Sequence, residues 1–229
     1  KMMGNVRDAS GNVHDENTVT NAINGLNYAY DRGAKIINCS FSFPFYDAEF
    51  VNAITDKSDI LFVASAGNDG DDISIDHNMI YPASIDADNV ITVANMQHNG
   101  DITPDSNYGG ATDIAAPGAE IISTTPFNTY DFMWGTSMAA PHVSGVAALI
   151  WSYNPDLTAQ EVRARILGNV TQNDYFTGLV TSGGHINAFR ALANDSGATA
   201  ASTTNILSNV SPREKSQATK QKIKTVLEN

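Results

Sequence analysis

Short apolar runs that alternate with helical patterns are the feature that most constrains the fold of this chain. The runs 35–40 and 60–66 are apolar on both faces, and helical patterns precede them over 17–32 and 48–56. Runs buried on both faces are typical of parallel strands, which need crossover connections that are usually helices. The pattern therefore predicts an α/β fold in three layers, with a mostly parallel central sheet covered on both faces.

Weaker patterns place the remaining elements. Residues 1–4 look like the end of a strand, and Val90–Ala94 and Glu120–Ser123 predict two more strands. A mostly apolar helix is expected from Met138 to Tyr153, with Gly145 allowing close packing. Thr158 and Glu161 have capping-box spacing, which predicts a helix from there to about Leu167.

Composition bounds the partners and the domain organisation. The net charge of −12 argues against nucleic acid and anionic membranes as partners, and no apolar run approaches the ~18 residues of a membrane span. Residues 1–195 carry 8 Lys/Arg and 23 Asp/Glu, whereas residues 196–229 carry 5 and 2. We expect a domain over 1–194, then a polar linker and a weakly helical basic tail over 195–229 that the fold does not need. No signal peptide is visible behind Lys1.

The stretch from Gly135 to Gly145 carries the strongest chemical signal. Ser137 lies between small residues at the start of the predicted helix, where it is a favoured N-cap type and Pro141 is tolerated in the first turn. Free N–H groups and the positive end of the helix dipole would surround its hydroxyl. Such surroundings favour an oxyanion, although Gly-Thr-Ser alone is equally compatible with an ordinary capped helix.

The whole stretch Gly-Thr-Ser-Met-Ala-Ala-Pro-His-Val-Ser-Gly resembles the serine motif of the subtilisin-like serine proteases (subtilases, peptidase S8 family). Ala66-Gly67-Asn68, 69 residues before Ser137, is similar to the family's Ala-Gly-Asn segment, and 183–188 resembles the start of its last helix. The resemblance covers roughly residues 1–193. It implies a subtilisin-like fold and peptide-bond hydrolysis, with Ser137 as nucleophile and Asn68 as oxyanion donor.

The resemblance also implies where a peptide or protein substrate binds. Asn38 to Ser42 is similar to the family's exposed substrate-pairing strand. The implied substrate-binding residues are Ser40, Phe41, Ser42, Ser65, Ala66, Gly67, Gly135 and Thr136. Two residues depart from the family pattern: Ser42 stands where glycine is usual, and Trp134 is bulkier than expected. Both departures bear on substrate preference.

Two motifs of the family are absent from this sequence. A subtilase needs a histidine as general base and an aspartate to orient it, in Asp-x-Gly and His-Gly-Thr-His-type segments, and neither segment occurs here. The motif order puts both upstream of Lys1, so we expect the C-terminal portion of a secreted or cell-surface endopeptidase whose N-terminal part is missing. That part is then a required partner, and this chain alone should be inactive. The alternative is a non-catalytic subtilase-like scaffold that binds peptides or partners.

No cofactor is expected for catalysis, and an acidic loop is compatible with structural calcium, although a solvated loop is the more usual interpretation. Asp69, Asp71, Asp72 and Asp76 form an oxygen-rich loop, and the resemblance adds backbone oxygens near Tyr81-Pro82-Ala83 as a second candidate site. An ordinary solvated acidic loop is the alternative. The single cysteine, Cys39, lies in an apolar run and is predicted to be a buried, inert thiol.

Overall fold

The structure, a computed structural model, describes residues 18–194. The chain divides into two units, Lys1–Asp195 and Ser196–Asn229, and the described residues all lie in the first. The expected strand end at 1–4 and the tail therefore lie outside the described residues. The elements are α1 (Thr18–Asp31), β1 (Ile36–Cys39), α2 (Ala48–Thr55), β2 (Leu61–Ser65), β3 (Val90–Met96), β4 (Ile114–Pro117), β5 (Ile121–Thr125), β6 (Thr129–Met133), α3 (Thr136–Tyr153), α4 (Ala159–Gly168), β7 (Thr171–Gln172), β8 (Gly184–His185) and α5 (Ala188–Ala193).

Six strands form one sheet in the order β1-β2-β3-β4-β8-β7. The first five are parallel and β7 is antiparallel to β8. The α/β fold with a mostly parallel sheet is thus confirmed. Because parallel strands are joined by long crossovers, their carboxyl ends meet at one edge of the sheet, which is where ligands bind in such folds.

Alternate residues of the central strands face two different hydrophobic cores. Leu61 and Val63 pack into a core shared with α3, α4 and α5, whereas Phe62 packs into one shared with α1 and α2. All three side chains are fully buried. This alternation gives the predicted three layers, with helices on both faces of the sheet.

Three local predictions have different outcomes. The strand predicted at 120–123 is confirmed as β5, but it lies outside the six-stranded sheet and pairs antiparallel with β6 in a separate two-stranded hairpin. Within residues 18–194, Gly145 is exposed and a Cβ placed there would meet nothing within 4 Å, so none of these residues uses it for close packing. Finally, α3 begins at Thr136 with Gly135 as its N-cap, so Ser137 is inside the first turn rather than at the cap.

No helix within residues 18–194 combines the length and the apolar character that a membrane crossing requires.

Candidate active site

The predicted site residues come together at the carboxyl edge of the sheet. Ser40 follows β1, the Ala66–Asn68 segment follows β2, and Thr136 begins α3. The contacts that join these segments are between residues 68 to 97 positions apart in the chain. The parallel topology therefore brings together site residues that are far apart in the sequence.

A glycine with a positive φ angle sets the position of the serine. Gly135 caps α3 at φ +129°, a backbone conformation that side chains with a Cβ rarely adopt. A Cβ there would lie 3.1 Å from the Oδ1 of Asn68, and the Gly135 N–H donates to the carbonyl of Gly118 at 2.9 Å. Half-buried Ser137 follows two residues later, and among the described residues its N–H has no acceptor. The serine thus presents a hydroxyl and a free N–H at a helix N-terminus.

Thr136 orients the side chain of Asn68. Its N–H and its hydroxyl both donate to Asn68 Oδ1, at 2.9 and 3.1 Å, and its hydroxyl oxygen accepts from the Gly67 N–H at 3.1 Å. These bonds identify Oδ1 as the buried end of the amide. The Nδ2 group of exposed Asn68 has no acceptor among residues 18–194 and is left to donate.

A polar network joins Ser137 to the end of β1. Ser137 Oγ donates to the carbonyl of Ser40 at 3.4 Å, and Ser40 Oγ donates to the carbonyl of Ser137 at 2.8 Å. Asn38 Nδ2 donates to Ser40 Oγ, and Ser144 Oγ donates to Asn38 Oδ1. The network holds the start of α3 against the predicted substrate-pairing segment.

The residues predicted to form a specificity pocket lie at the ends of β1 and β2. Ser65, Ala66 and Gly67 are buried, with Ser65 Oγ donating to the carbonyl of Cys39 at 3.4 Å. Gly67 has φ +95°, and a Cβ there would lie 2.6 Å from Ile80 Cδ1, so glycine is required. Phe41 is half-buried and stacks with Phe43 and Phe50.

Ser42, by contrast, is exposed and is not among the residues with positive φ. Its departure from the family's glycine therefore causes no backbone strain.

No histidine of the described region contacts the Ser137 hydroxyl. His142 donates from its Nδ1–H to the Met138 carbonyl (2.9 Å), and His98 pairs with Glu120. His77 lies in an exposed turn. The fourth, His185 on β8, is partly buried, which lowers the pKa of its imidazole.

Two residues that support the site, Asn107 and Gly118, were not predicted from the sequence. Asn107 Oδ1 accepts from the N–H groups of Asp69 and Asp71, which fixes the turn after Asn68. At Gly118, a Cβ would lie 2.6 Å from the carbonyl oxygen of Gly135. Neither residue lies in a motif with chemical meaning; the only signal was that Gly118 follows the apolar run at β4.

The acidic loop does not offer a ready set of carboxylate ligands. Within residues 18–194, no group of three His, Cys, Asp and Glu side chains is placed to hold a metal ion. Asp72 instead accepts from the N–H and hydroxyl of Ser74, closing a local turn. Calcium held through backbone oxygens near Tyr81 stays a prediction.

Comparison with known proteins agrees with this geometry. The model of the subtilase family (Peptidase S8) matches residues 6–208. Subtilisin DY of Bacillus licheniformis is 37% identical over 163 residues, covering 70% of this chain and 58% of that protein. Thermitase of Thermoactinomyces vulgaris is 38% identical over 178 residues, covering 76% and 60%.

Solved structures give the same result. The structure of the self-cleaved protease domain of PatA matches with a TM-score of 0.67 and 28% identity, over 82% of this chain and 70% of that one. The chain spans 58% and 60% of the length of subtilisin DY and thermitase. This chain belongs to the subtilase family of serine proteases.

Proposed function

We propose that this chain carries the nucleophile and the oxyanion hole of a serine endopeptidase. The observation that supports it most is the double hydrogen bond from Thr136 to Asn68 Oδ1, which leaves Asn68 Nδ2 free beside the free N–H of Ser137. Two donors fixed before the substrate arrives can stabilise a developing oxyanion without reorganisation. A structural role alone would not need the amide turned outward.

In this reaction the Ser137 oxygen attacks a peptide carbonyl, and the carbonyl oxygen becomes an anion held by Asn68 Nδ2 and the Ser137 N–H. A general base must take the hydroxyl proton and later return it to the leaving amine. In the present structure that hydroxyl donates weakly to the Ser40 carbonyl at 3.4 Å, which cannot accept the proton. Neither the Asp-x-Gly nor the His-Gly-Thr-His-type segment occurs in the sequence, so we propose that the base and its orienting aspartate come from a segment that carries these two motifs.

A groove beside Ser137 is suited to receive that segment. It has a volume of about 360 Å³ and is lined by one face of the β5–β6 hairpin and the first turns of α3. Ile121, Met133 and Pro141 make it mainly apolar, and Ser137 lies in its wall. An imidazole seated in this groove would lie beside Ser137. The protein's substrates are then peptides or unfolded proteins, and we propose that it acts outside the cell.

A fluorophosphonate probe tests the assignment, because it reacts with a serine only where a base and an oxyanion hole activate it. The chain should be labelled when combined with the segment that brings the Asp and His motifs, and Ser137→Ala should abolish labelling. Ser152→Ala, which changes an exposed serine in the last turn of α3, is the matched control and should leave labelling intact. Labelling that survives Ser137→Ala would refute the assignment. Peptide binding with no Ser137 labelling would favour the non-catalytic scaffold.

A further inference from the structure

A second pocket, separate from the groove, lies beside the hairpin. Glu120 and Trp134 flank the two strands of the hairpin, and they line a different cavity from the groove that Ile121 and Met133 line. Together with His98, Asn99 and Thr103 they line a cavity of about 330 Å³, which we call the Trp134 pocket. The function proposed above makes no use of it.

The pocket has an aromatic wall that a ligand can reach. The indole of Trp134 is 59% exposed, so its face is open to a ligand in the cavity. The Oγ1 of Thr103 and the side-chain amide of Asn95 have no hydrogen-bond partner among the described residues, but these atoms are shielded from solvent. The polar contact of the pocket therefore comes from Glu120 and not from Thr103.

The charge of the pocket is negative. Within residues 18–194, Glu120 makes ion-pair contact with His98 alone, at 3.2 Å, and no Lys or Arg lines the cavity. Both side chains are well exposed, so the contact is open to competition. A cation that lies over the Trp134 ring with its charge beside Glu120 gains from the ring quadrupole and from the carboxylate together.

We propose that the Trp134 pocket binds the Lys or Arg side chain of a peptide. The aliphatic stem would pack on the indole, and the cationic head would bond the Glu120 carboxylate. Trp134 lies three residues before Ser137, at most about 11 Å along the backbone. The pocket therefore selects a basic residue a few positions from the scissile bond. This selection rests on the proposed protease function, whereas the binding of a basic side chain does not.

Binding is measured on the 229-residue chain by tryptophan fluorescence during titration with N-acetyl-lysine amide, with N-acetyl-norleucine amide as the uncharged probe. Lysine should perturb the emission at concentrations about 3- to 30-fold lower than norleucine. Trp134→Phe should remove the response, because the other tryptophan, Trp151, is 7% exposed. Glu120→Gln should remove the preference for lysine. Asp131→Asn, the same charge change on the neighbouring strand β6, should retain it.

Cleavage is measured separately, by mapping the sites cut in an unfolded protein once the Asp- and His-bearing segment is present. Lys and Arg should be enriched at a fixed position near the cut, and Glu120→Gln should reduce that enrichment by a similar factor. If the chain binds lysine in preference to norleucine but cuts no protein, the proposal for the Trp134 pocket is supported and the protease proposal is contradicted. Equal responses to lysine and norleucine, or an unchanged lysine preference in Glu120→Gln, would contradict the proposed binding of a basic side chain in this pocket, even if cleavage occurs.

Discussion

At the scale of single residues, the hydroxyl of Thr136 joins the two parts of the candidate site. It donates to Asn68 Oδ1 and accepts from the Gly67 N–H, so one side chain fixes both the strand exit and the amide that faces the substrate. Thr136 is fully buried, and its bonds are therefore protected from competing water. The proposed catalytic geometry therefore depends on a residue that would not itself touch the reacting atoms.

Replacing Asn68 by alanine should lower kcat far more than it raises KM, because the amide meets the oxyanion only in the transition state. The expected loss is about 10²–10³-fold, a range borrowed from an oxyanion donor of a subtilisin. Steady-state kinetics of the active assembly check it. A raised KM at constant kcat would mean that Asn68 binds the ground state instead.

Thr136→Val should lower kcat as well, by about tenfold or more, since Asn68 loses one of two bonds to its Oδ1 and the Gly67 N–H loses its acceptor. Thr136→Ser keeps the hydroxyl and should recover most of the rate. If valine and serine behaved alike, the hydroxyl would not be what positions Asn68.

Cys39 should be inert in the folded protein. The thiol is fully buried, and this burial raises its pKa to about 12. Its thiolate population at pH 8 is then lower than that of an unfolded chain by on the order of 10³-fold. Labelling with a thiol-reactive chromophore should be slow in buffer and fast in denaturant. Rapid labelling in buffer would show that β1 opens.

The residues of the site were predictable where a contiguous motif carried them, and not elsewhere. Gly135, Thr136 and Ser137 could be assigned together from one stretch, because their chemistry is local. Asn107 could not, because its role depends on a loop 36 to 38 residues away in sequence. The bond between Thr136 and Asn68 was equally invisible, since it exists only once β2 and α3 are side by side.

At the scale of elements, α4 is the clearest case of a local signal that is confirmed. Thr158 Oγ1 accepts from the Glu161 N–H, and the Glu161 carboxylate accepts from the Thr158 N–H, which completes the capping box. Val162 and Ile166 then pack into the core against α3. In contrast, β7 and β8 are two residues long and carry no periodic pattern, so no sequence argument could find them.

The strand β5 was predicted from the sequence, but its position outside the main sheet was not. Its apolar residues resemble a core strand, yet Ile122 is 51% exposed and pairs with exposed Phe132 across the hairpin. A two-stranded hairpin is marginal by itself, so the apolar residues suit partners outside the described region. Apolar content predicts burial, but it does not say whether the burying surface belongs to the same sheet.

Thr158→Ala should destabilise the protein by about 1 kcal/mol, the usual value of an N-cap. The pKa of Glu161 is lowered mainly by the hydrogen bond from the Thr158 N–H and then by that from its hydroxyl. A lowered pKa gives stability that is present above the unfolded value, about 4.3, and is lost as the pH falls below it.

The difference in Tm between wild type and Thr158→Ala should therefore shrink between pH 6 and about pH 3. Thr158→Ser retains the acceptor and serves as the control. A difference that does not change with pH would mean that the Thr158 hydroxyl does not contribute to lowering the pKa of Glu161.

At the scale of the whole molecule, the described residues leave one side of the domain uncovered. β1 has a partner strand only on its β2 side, and Leu149 on the outer strip of α3 is 52% exposed. His142 and Gly145 lie on the same exposed strip. An open strand edge beside apolar surface favours association, which soluble proteins ordinarily avoid. The uncovered side is continuous with the groove at Ser137, since Pro141 and His142 line both.

The 229-residue chain alone should hydrolyse an unfolded protein feebly or not at all. A serine hydroxyl is a weak nucleophile without a base, and binding plus an oxyanion hole supply at most about 10³–10⁴-fold over water. The chain should also bind a hydrophobic dye, and adding the Asp- and His-bearing segment should reduce dye binding and raise hydrolysis together. Robust, Ser137-dependent turnover by the chain alone would place a base within it. His142→Ala and His77→Ala would then identify that base, although the hydrogen bond between His142 Nδ1 and the Met138 carbonyl argues against the first.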